Sequence, residues 1–445
     1  MYKFNDKFYT DVRIEDRYSS EIRLKNGQLE ECKEQSVKKA FIRVFDGNMW
    51  YYSSTCDTEG LQKEIDALYL YATPNDNIDE HPVVKKFQVN KDTVMRFAKD
   101  KVSDIPLEKK VSYIASAAEK LKSPHLNLGM GLYLDRYSVF NFYSSKGADI
   151  TYDFQTAGAA LSVALSSGND QFENRASKAG AYFKDAEITD AEIKELLDES
   201  ENFLMNAVPL DKAGSYPVVL APEVTGVFAH ESFGHKSEAD FMLGDETMAK
   251  EWSIGKKVAS DVLTIKETGT IEGSGYVPYD DEGTKAGVTY LIDKGVLSGR
   301  LHSATTAAYL GEELTGNARA MNCDFEPIVR MTNTYIEGGD STFEELVSGI
   351  KDGFYVKSCK HGSGMSTFTI APNVCYRIRD GKLAEPVKIA VLTGNVFETL
   401  GLIDGVADDR KILSFVGGGC GKMEQFPLPV GLGGPHIRVS EINVQ

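Results

Sequence analysis

Two of the chain's seven histidines fall in one six-residue stretch, His230-Glu231-Ser232-Phe233-Gly234-His235. Imidazole nitrogens are common metal ligands, and a carboxylate beside them can carry a proton. With histidine this scarce, an H-E-x-x-x-H string arises by chance in roughly one in a hundred chains of such composition. The separation is five residues, one more than the four that put two side chains on one helix face. A regular α-helix would set the rings about 140° apart instead of about 40°. They can converge on one ion only where the helix is widened or broken, and a single π-type bulge achieves this. Gly234, directly before His235, is the residue expected to accommodate the distortion. The plainer alternative is two unrelated histidines, one buried and one exposed, with Glu231 as surface charge.

A second constellation lies near the C-terminus, Val416-Gly417-Gly418-Gly419-Cys420-Gly421-Lys422. It is not a phosphate loop, because Val416 stands where the opening glycine belongs and Met423 where Ser or Thr belongs. What remains is a thiol among glycines, able to approach another group closely, or else an inert buried cysteine in a turn. Catalytic zinc takes three protein ligands and keeps one position open, and His₂Cys uses accepted ligand types. Cys420 is therefore one source of the third ligand that the histidine pair lacks. Glu238 and Asp240, just past the motif, are acidic alternatives, with supporting or surface roles the plainer reading. His436 could instead pair with Cys420 as a thiol-protease dyad. Asp280-Asp281-Glu282 lacks the alternating spacing of a calcium loop and reads as a turn. His81, His125, His302 and His361 have no ligand pattern around them and read as structural or exposed.

The elements that must carry these residues are partly readable. Tyr216 to Leu220 predicts a strand, and Pro222 a helix start leading into the motif, with Val227, Phe228 and Phe233 as apolar anchors. Earlier in the chain, Lys38 to Ser54 predicts two strands around an Asp46-Gly47 turn. Helices are expected over Leu61 to Ala72, Val94 to Ala98, Leu107 to Leu121 and Ile188 to Met205, the last capped by Thr189 or Asp190. Asn127 to Phe142 alternates like a strand. After Met205 glycines and short strands dominate. The expected organisation is an α+β N-terminal domain over 1–205 and a glycine-rich α+β domain over 206–445 with antiparallel or mixed sheet, which bears the metal.

Composition narrows the function further. The 445 residues carry 49 Lys+Arg against 66 Asp+Glu, a formal net charge of −17. That balance argues against holding nucleic acid or an anionic membrane, which needs clustered Lys and Arg. Six cysteines without a CxxC pair fit neither a disulfide scaffold nor a zinc ribbon. No apolar run is long enough for a spanning helix, and the charged start has no apolar segment of a secretory signal. A cytoplasmic protein with reduced thiols is the expectation.

The segment His230 to Phe241, with later segments in order, resembles the TldD/PmbA family of bacterial and archaeal metalloproteases. Those segments are Asp280 to Thr284, Leu291 to Leu297, Thr315-Gly316-Asn317, Arg330 to Thr334, Cys420-Gly421-Lys422 and Pro429 to Val439. The intact HExxxH string marks the TldD type, since PmbA-type partners lack it. The first half matches only loosely, through Ile42 to Gly47, and Lys236-Ser237 follow His235 where smaller or apolar residues are more usual. The resemblance implies Zn²⁺ held by His230, His235 and Cys420, with Glu231 as general base in peptide hydrolysis. It implies peptides or unfolded polypeptide segments as substrates. It also implies a dimer with an enclosed site, either a homodimer or a heterodimer with a PmbA-type subunit. Two other readings compete. One is a non-catalytic partner or regulatory scaffold, suggested by the family's older label as a modulator of DNA gyrase. The other is a hydrolase dependent on Cys420.

Overall fold

The computed structural model describes residues 2–445. The first half is organised on one seven-stranded sheet. Strands β1 (Tyr9–Lys25) and β2 (Gln28–Phe45) form a long antiparallel hairpin, and β3 (Trp50–Thr55) pairs with the end of β2. The turn between β2 and β3 is held by Asp46, whose Oδ1 accepts the Asn48 and Met49 N–H groups. β4 (Lys91–Val94), β5 (Leu126–Ser144), β6 (Asp149–Ser167) and β7 (Asp170–Gly180) complete the sheet.

The three longest helices of this half pack against it. α1 (Leu61–Tyr69) buries Leu61, Ile65 and Leu68 and leaves Leu70 in solvent. α2 (Leu107–Ala118) and α3 (Asp190–Asn206) pack on the strands through Ile114, Ile193, Leu196 and Phe203. Thr189 caps α3, its hydroxyl accepting the Glu192 N–H while Glu192 accepts back from Thr189, a reciprocal arrangement worth about 0.5–2 kcal/mol. The helix expected over Val94 to Ala98 does not form. The N–H groups of Arg96 and Phe97 donate to the Asp153 carboxylate at 2.7 and 2.9 Å, so a distant side chain takes donors that a helix would need.

Past Val208 the chain forms a ten-stranded mixed sheet and a six-stranded one. The strands that matter for the site are β8 (Gly214–Leu220), β9 (Asp352–Val356), β10 (Cys359–Gly364), β11 (Thr367–Pro372), β12 (Leu392–Asn395), β13 (Cys420–Lys422), β14 (Gln425–Leu428), β15 (Gly431–Gly434) and β16 (Ile437–Val444). In the larger sheet β10 is the terminal strand, followed by β11, β12, β16, β8 and β9. β15 lies in the smaller sheet beside Asn333–Ile336, and β13 and β14 form a separate two-stranded hairpin. The architecture is α+β, with antiparallel and mixed sheets. Among the described residues no helix is long and apolar enough to cross a membrane.

Charged residues tie the first sheet to the later half. Arg43 on β2 is buried between Asp11 and Glu282, at 2.6 and 3.0 Å. Arg13 on β1 lies 3.2 Å from Asp281. Asp280 turns inward and accepts the Glu282, Thr284 and Ala318 N–H groups. The acidic run at 280–282 is thus a buried turn, with each carboxylate matched to donors as burial requires.

Candidate metal centre

The strand-to-helix step that opens the motif is set by sheet pairing. Leu220, the last residue of β8, is paired with Ile437 on one side and Val356 on the other. Pro222 then occupies the first turn of α4 (Pro222–Phe228), where its missing N–H costs nothing. The helix lies between the two large sheets, and one face runs unusually close to β15. A Cβ on Gly226 would sit 2.6 Å from the Gly433 nitrogen and 2.4 Å from Leu432 Cδ1. Val224, Phe228 and Phe233 are fully buried in the surrounding core with Leu220, Trp252 and Phe368.

At Ala229–Gly234 the helix widens into a π-helical turn and then tightens to a 3₁₀ turn at His235–Ser237. The widening brings the two imidazoles together, with ring centroids 5.0 Å apart. Gly234 is there for another reason than the expected one. Its backbone is ordinary helix, at φ −56° and ψ −54°. A Cβ at this position would lie 2.0 Å from the Met331 sulfur, so a larger residue here would have to displace that buried side chain.

Cys420, from the β13–β14 hairpin, completes the cluster. Its Sγ is 3.4 Å from His235 Nε2, and one donor atom from each of His230, His235 and Cys420 lies within 4.8 Å of the others. All three residues are buried. Burial alone would push the Cys420 thiol up, but the adjoining His230 and His235 outweigh it and bring it down to about 5. Burial likewise disfavours the His235 imidazolium, but its contacts with Cys420 and Glu238 raise it to about 10. His230 Nδ1 is buried with no hydrogen-bond partner. Two nitrogens and a thiolate gathered this tightly suit a thiophilic divalent ion, and the residues present fit zinc.

Glu231 stands beside the cluster without belonging to it. Burial raises its carboxyl above the usual range, with Cys420 and Glu238 adding to the effect and the two histidines opposing it. Strand β10 passes directly over it. A Cβ on Gly362 would lie 3.2 Å from Glu231 Cγ, and one on Gly364 would lie 2.9 Å from the Glu231 carbonyl oxygen.

Behind the donors is a charged relay that the sequence reading weighed only in part. His235 Nδ1 lies 3.2 Å from Glu238 Oε2, and the same oxygen is 3.0 Å from Lys422 Nζ. Lys422 also donates to Asp240 at 2.7 Å and to the Val329 carbonyl at 3.0 Å. Glu238 and Asp240 therefore serve these contacts and lie outside the three-residue cluster. Lys422 shares a strand face with Cys420, as residues i and i+2 do, and both are buried while Gly421 is exposed, but that spacing does not tell which distant carboxylates it meets.

The alternative dyad does not form. His436 Nδ1 is 2.6 Å from Asp409 Oδ2, and its Nε2 is 3.2 Å from the Tyr355 hydroxyl, so both ring nitrogens have partners elsewhere. His125 pairs with Glu201 and His302 with Glu312, while His81 caps a short helix and His361 is exposed.

A helix that turns two imidazoles inward onto a thiol from a distant hairpin assembles the ligand types of a metal centre. Known proteins narrow that class. Residues 213–445, more than half of the chain, match the PmbA/TldA metallopeptidase C-terminal domain, and residues 10–72 match domain 1 of the same family. A metalloprotease of Methanothermobacter thermautotrophicus is 33% identical over 438 residues, covering 97% of this chain and 94% of its own. A zinc metalloprotease TldD homolog of Saccharolobus solfataricus is 29% identical, covering 98% and 96%. The crystal structure of TldE from Thermococcus kodakarensis shares the fold with a TM-score of 0.74 at 17% identity, over 98% of this chain and 96% of that one. The chain belongs to the PmbA/TldD metallopeptidase family, and its enzymatic class is that of a metal-dependent peptidase.

Proposed function

We propose that the chain is a zinc peptidase whose ligands are His230, His235 and Cys420 and whose general base is Glu231. The observation that carries this reading is the convergence of the three donor atoms within 4.8 Å. Zinc bound there supplies Lewis-acid chemistry, acidifying water toward a pKa of about 7 and polarising a carbonyl. Glu231 takes the proton released during attack on the peptide carbonyl and delivers it to the departing amine. Its partly buried position beside the cluster supports that role, since burial favours a carboxylate able to hold a proton between the two steps.

The substrates we assign are peptides or unfolded polypeptide segments. β10 ends the ten-stranded sheet and lies against Glu231. A terminal strand offers backbone groups to an extended chain, so an added strand would run beside the base without needing particular side chains. Residues 1–205 and 206–445 are proposed as two domains, the second bearing the metal. The family resemblance further supports a dimer, of two copies or with a PmbA-type subunit, working in the cytoplasm.

Glu231→Gln tests the catalytic assignment. Gln keeps the volume and removes the basic carboxylate, so zinc content and melting temperature should stay at wild-type values. Cleavage of an unfolded peptide by the zinc-loaded variant should fall by roughly 10²–10⁴. Wild-type cleavage with zinc retained would remove Glu231 from the chemistry, and loss of zinc would place it in the ligand shell.

A further inference from the structure

The hairpin that brings Cys420 to the cluster belongs to neither large sheet, so contacts other than sheet pairing must hold it in place. β13 is three residues long and β14 four, they pair only with each other, and the register is broken between Cys420 and Lys422. A lone two-stranded hairpin is marginal at best in water. The approach through Gly417, Gly418 and Gly419 adds no stiffness. Lys422 ties one part of the hairpin to Glu238, Asp240 and Val329. Gln425 is fixed by its side chain, which accepts the Met321 N–H and donates to the Glu326 carbonyl. At Cys420 itself the tie comes from Arg330.

Arg330 is wholly buried. Its Nη2 donates to the Cys420 carbonyl at 2.8 Å and its Nη1 to the Gln425 carbonyl at 3.3 Å, so one guanidinium spans both strands. Its own backbone is fixed by Asn317, whose carbonyl accepts the Arg330 N–H at 2.8 Å and whose side-chain amide donates to the Arg330 carbonyl at 3.0 Å. Both terminal nitrogens are thus spent on carbonyls, and Nε is buried with no partner at all. Burying a cation on such terms is costly, and a rigid planar fork is the side chain suited to gripping two strands at once.

We propose that Arg330 is the positioning residue for Cys420: it sets the thiol against His230 and His235, which the helix places without its help. The proposal rests on the metal reading above, and cobalt(II) substitution separates the two. Bound cobalt reports thiolate ligation by a sulfur-to-metal charge-transfer band, while its ligand-field bands report that the ion is held and in what geometry. If the wild-type protein binds cobalt without the charge-transfer band, Cys420 is no ligand; the metal reading fails together with this proposal, before any variant is made.

Given that band in the wild type, Arg330→Met keeps length and apolar bulk but has no donors. It should bind metal about 10–100-fold more weakly, the usual consequence of losing a partner behind a ligand. It should lose most of the charge-transfer intensity while retaining ligand-field bands. Arg330→Lys, with a donor but no fork, should fall between the two, and it decides the matter if the Met variant does not fold. Wild-type charge-transfer intensity and affinity in a folded Arg330→Met protein would overturn the proposal. So would loss of both sets of bands in equal proportion in either folded variant, since that would show Arg330 supporting the whole site instead of the thiol.

Discussion

His230 and His235 stand on a helix wedged between two sheets, whereas Cys420 stands on a hairpin that belongs to neither. Around the histidines the fit is between backbones: Gly226 lies against Gly433, and Gly364 against the Glu231 carbonyl. Around the cysteine the fit is between long polar side chains and carbonyls, with Arg330 reaching into the hairpin and Lys422 and Gln425 reaching out of it. The first arrangement is fixed by packing, which tolerates little displacement. The second packs Cys420 into the core as well but leans more on hydrogen bonds, each worth only about 0.5–1.5 kcal/mol net, or about 1.5–3 where a charge is involved. The three donors thus differ in how firmly they are held before any metal arrives, and disturbance at the cysteine side should show first in metal binding.

The largest effect expected is that of Cys420→Ser. A neutral hydroxyl replaces a thiolate, so zinc affinity should drop by more than about 100-fold, beyond what the loss of a supporting partner costs. Elemental analysis after dialysis against a weak chelator measures it. The histidine helix should be untouched, so the apoprotein should melt close to the wild-type apoprotein. Full zinc retention would take Cys420 out of the ligand set. A sharply lowered apoprotein melting temperature would mean that the hairpin supports the fold as much as the helix does.

A smaller effect is expected one step behind the ligands. Glu238 is fully buried, and its Oε2 faces both His235 Nδ1 and Lys422 Nζ. It therefore joins the two regions, orienting an imidazole on the helix and anchoring a lysine on the hairpin. Glu238→Gln keeps the shape but removes the charge that makes both contacts strong. Zinc affinity, measured by competition with a fluorescent chelator, should fall by about 10–100-fold. An unchanged affinity would show that the helix and the hairpin are held independently, and that the contact through Glu238 contributes nothing to the ligands.

How much of this could be read in advance follows the same division. The five-residue histidine spacing required a widened helix, and the π turn at Ala229–Gly234 supplies it. The strand before Pro222 and the cap at Thr189 are local signals and were legible for that reason. The first β-hairpin was largely hidden, because Gln28 to Lys39 is mostly exposed and shows no apolar alternation. Val94 to Ala98 misled because its N–H groups are taken by Asp153, a residue far along the chain. Arg330 and Lys422 were invisible as supports for the same reason. A side chain that reaches a carbonyl or carboxylate ninety or more residues away leaves no periodicity to read.

The smallest effect on metal binding should come from the helix side, through Gly226→Ala. The added methyl meets the Gly433 nitrogen at 2.6 Å, and backbone there cannot swing aside as a flexible side chain could. Overpacking of this kind costs about 1–3 kcal/mol. Alanine regains roughly 0.8–1.0 kcal/mol over glycine within a helix, which leaves a net loss of about 0–2 kcal/mol. Denaturant unfolding of the apoprotein should show that loss as a lower midpoint with an unchanged slope. His230 lies one turn further along the same helical segment, yet zinc stoichiometry at saturation should remain that of the wild type, because strain in a packed helix is shared with the core around it. A variant that gained stability would mean that the helix is not clamped against β15. One that kept its stability and lost its zinc would place the histidines on as yielding a support as the cysteine, and the contrast between the two regions would be gone.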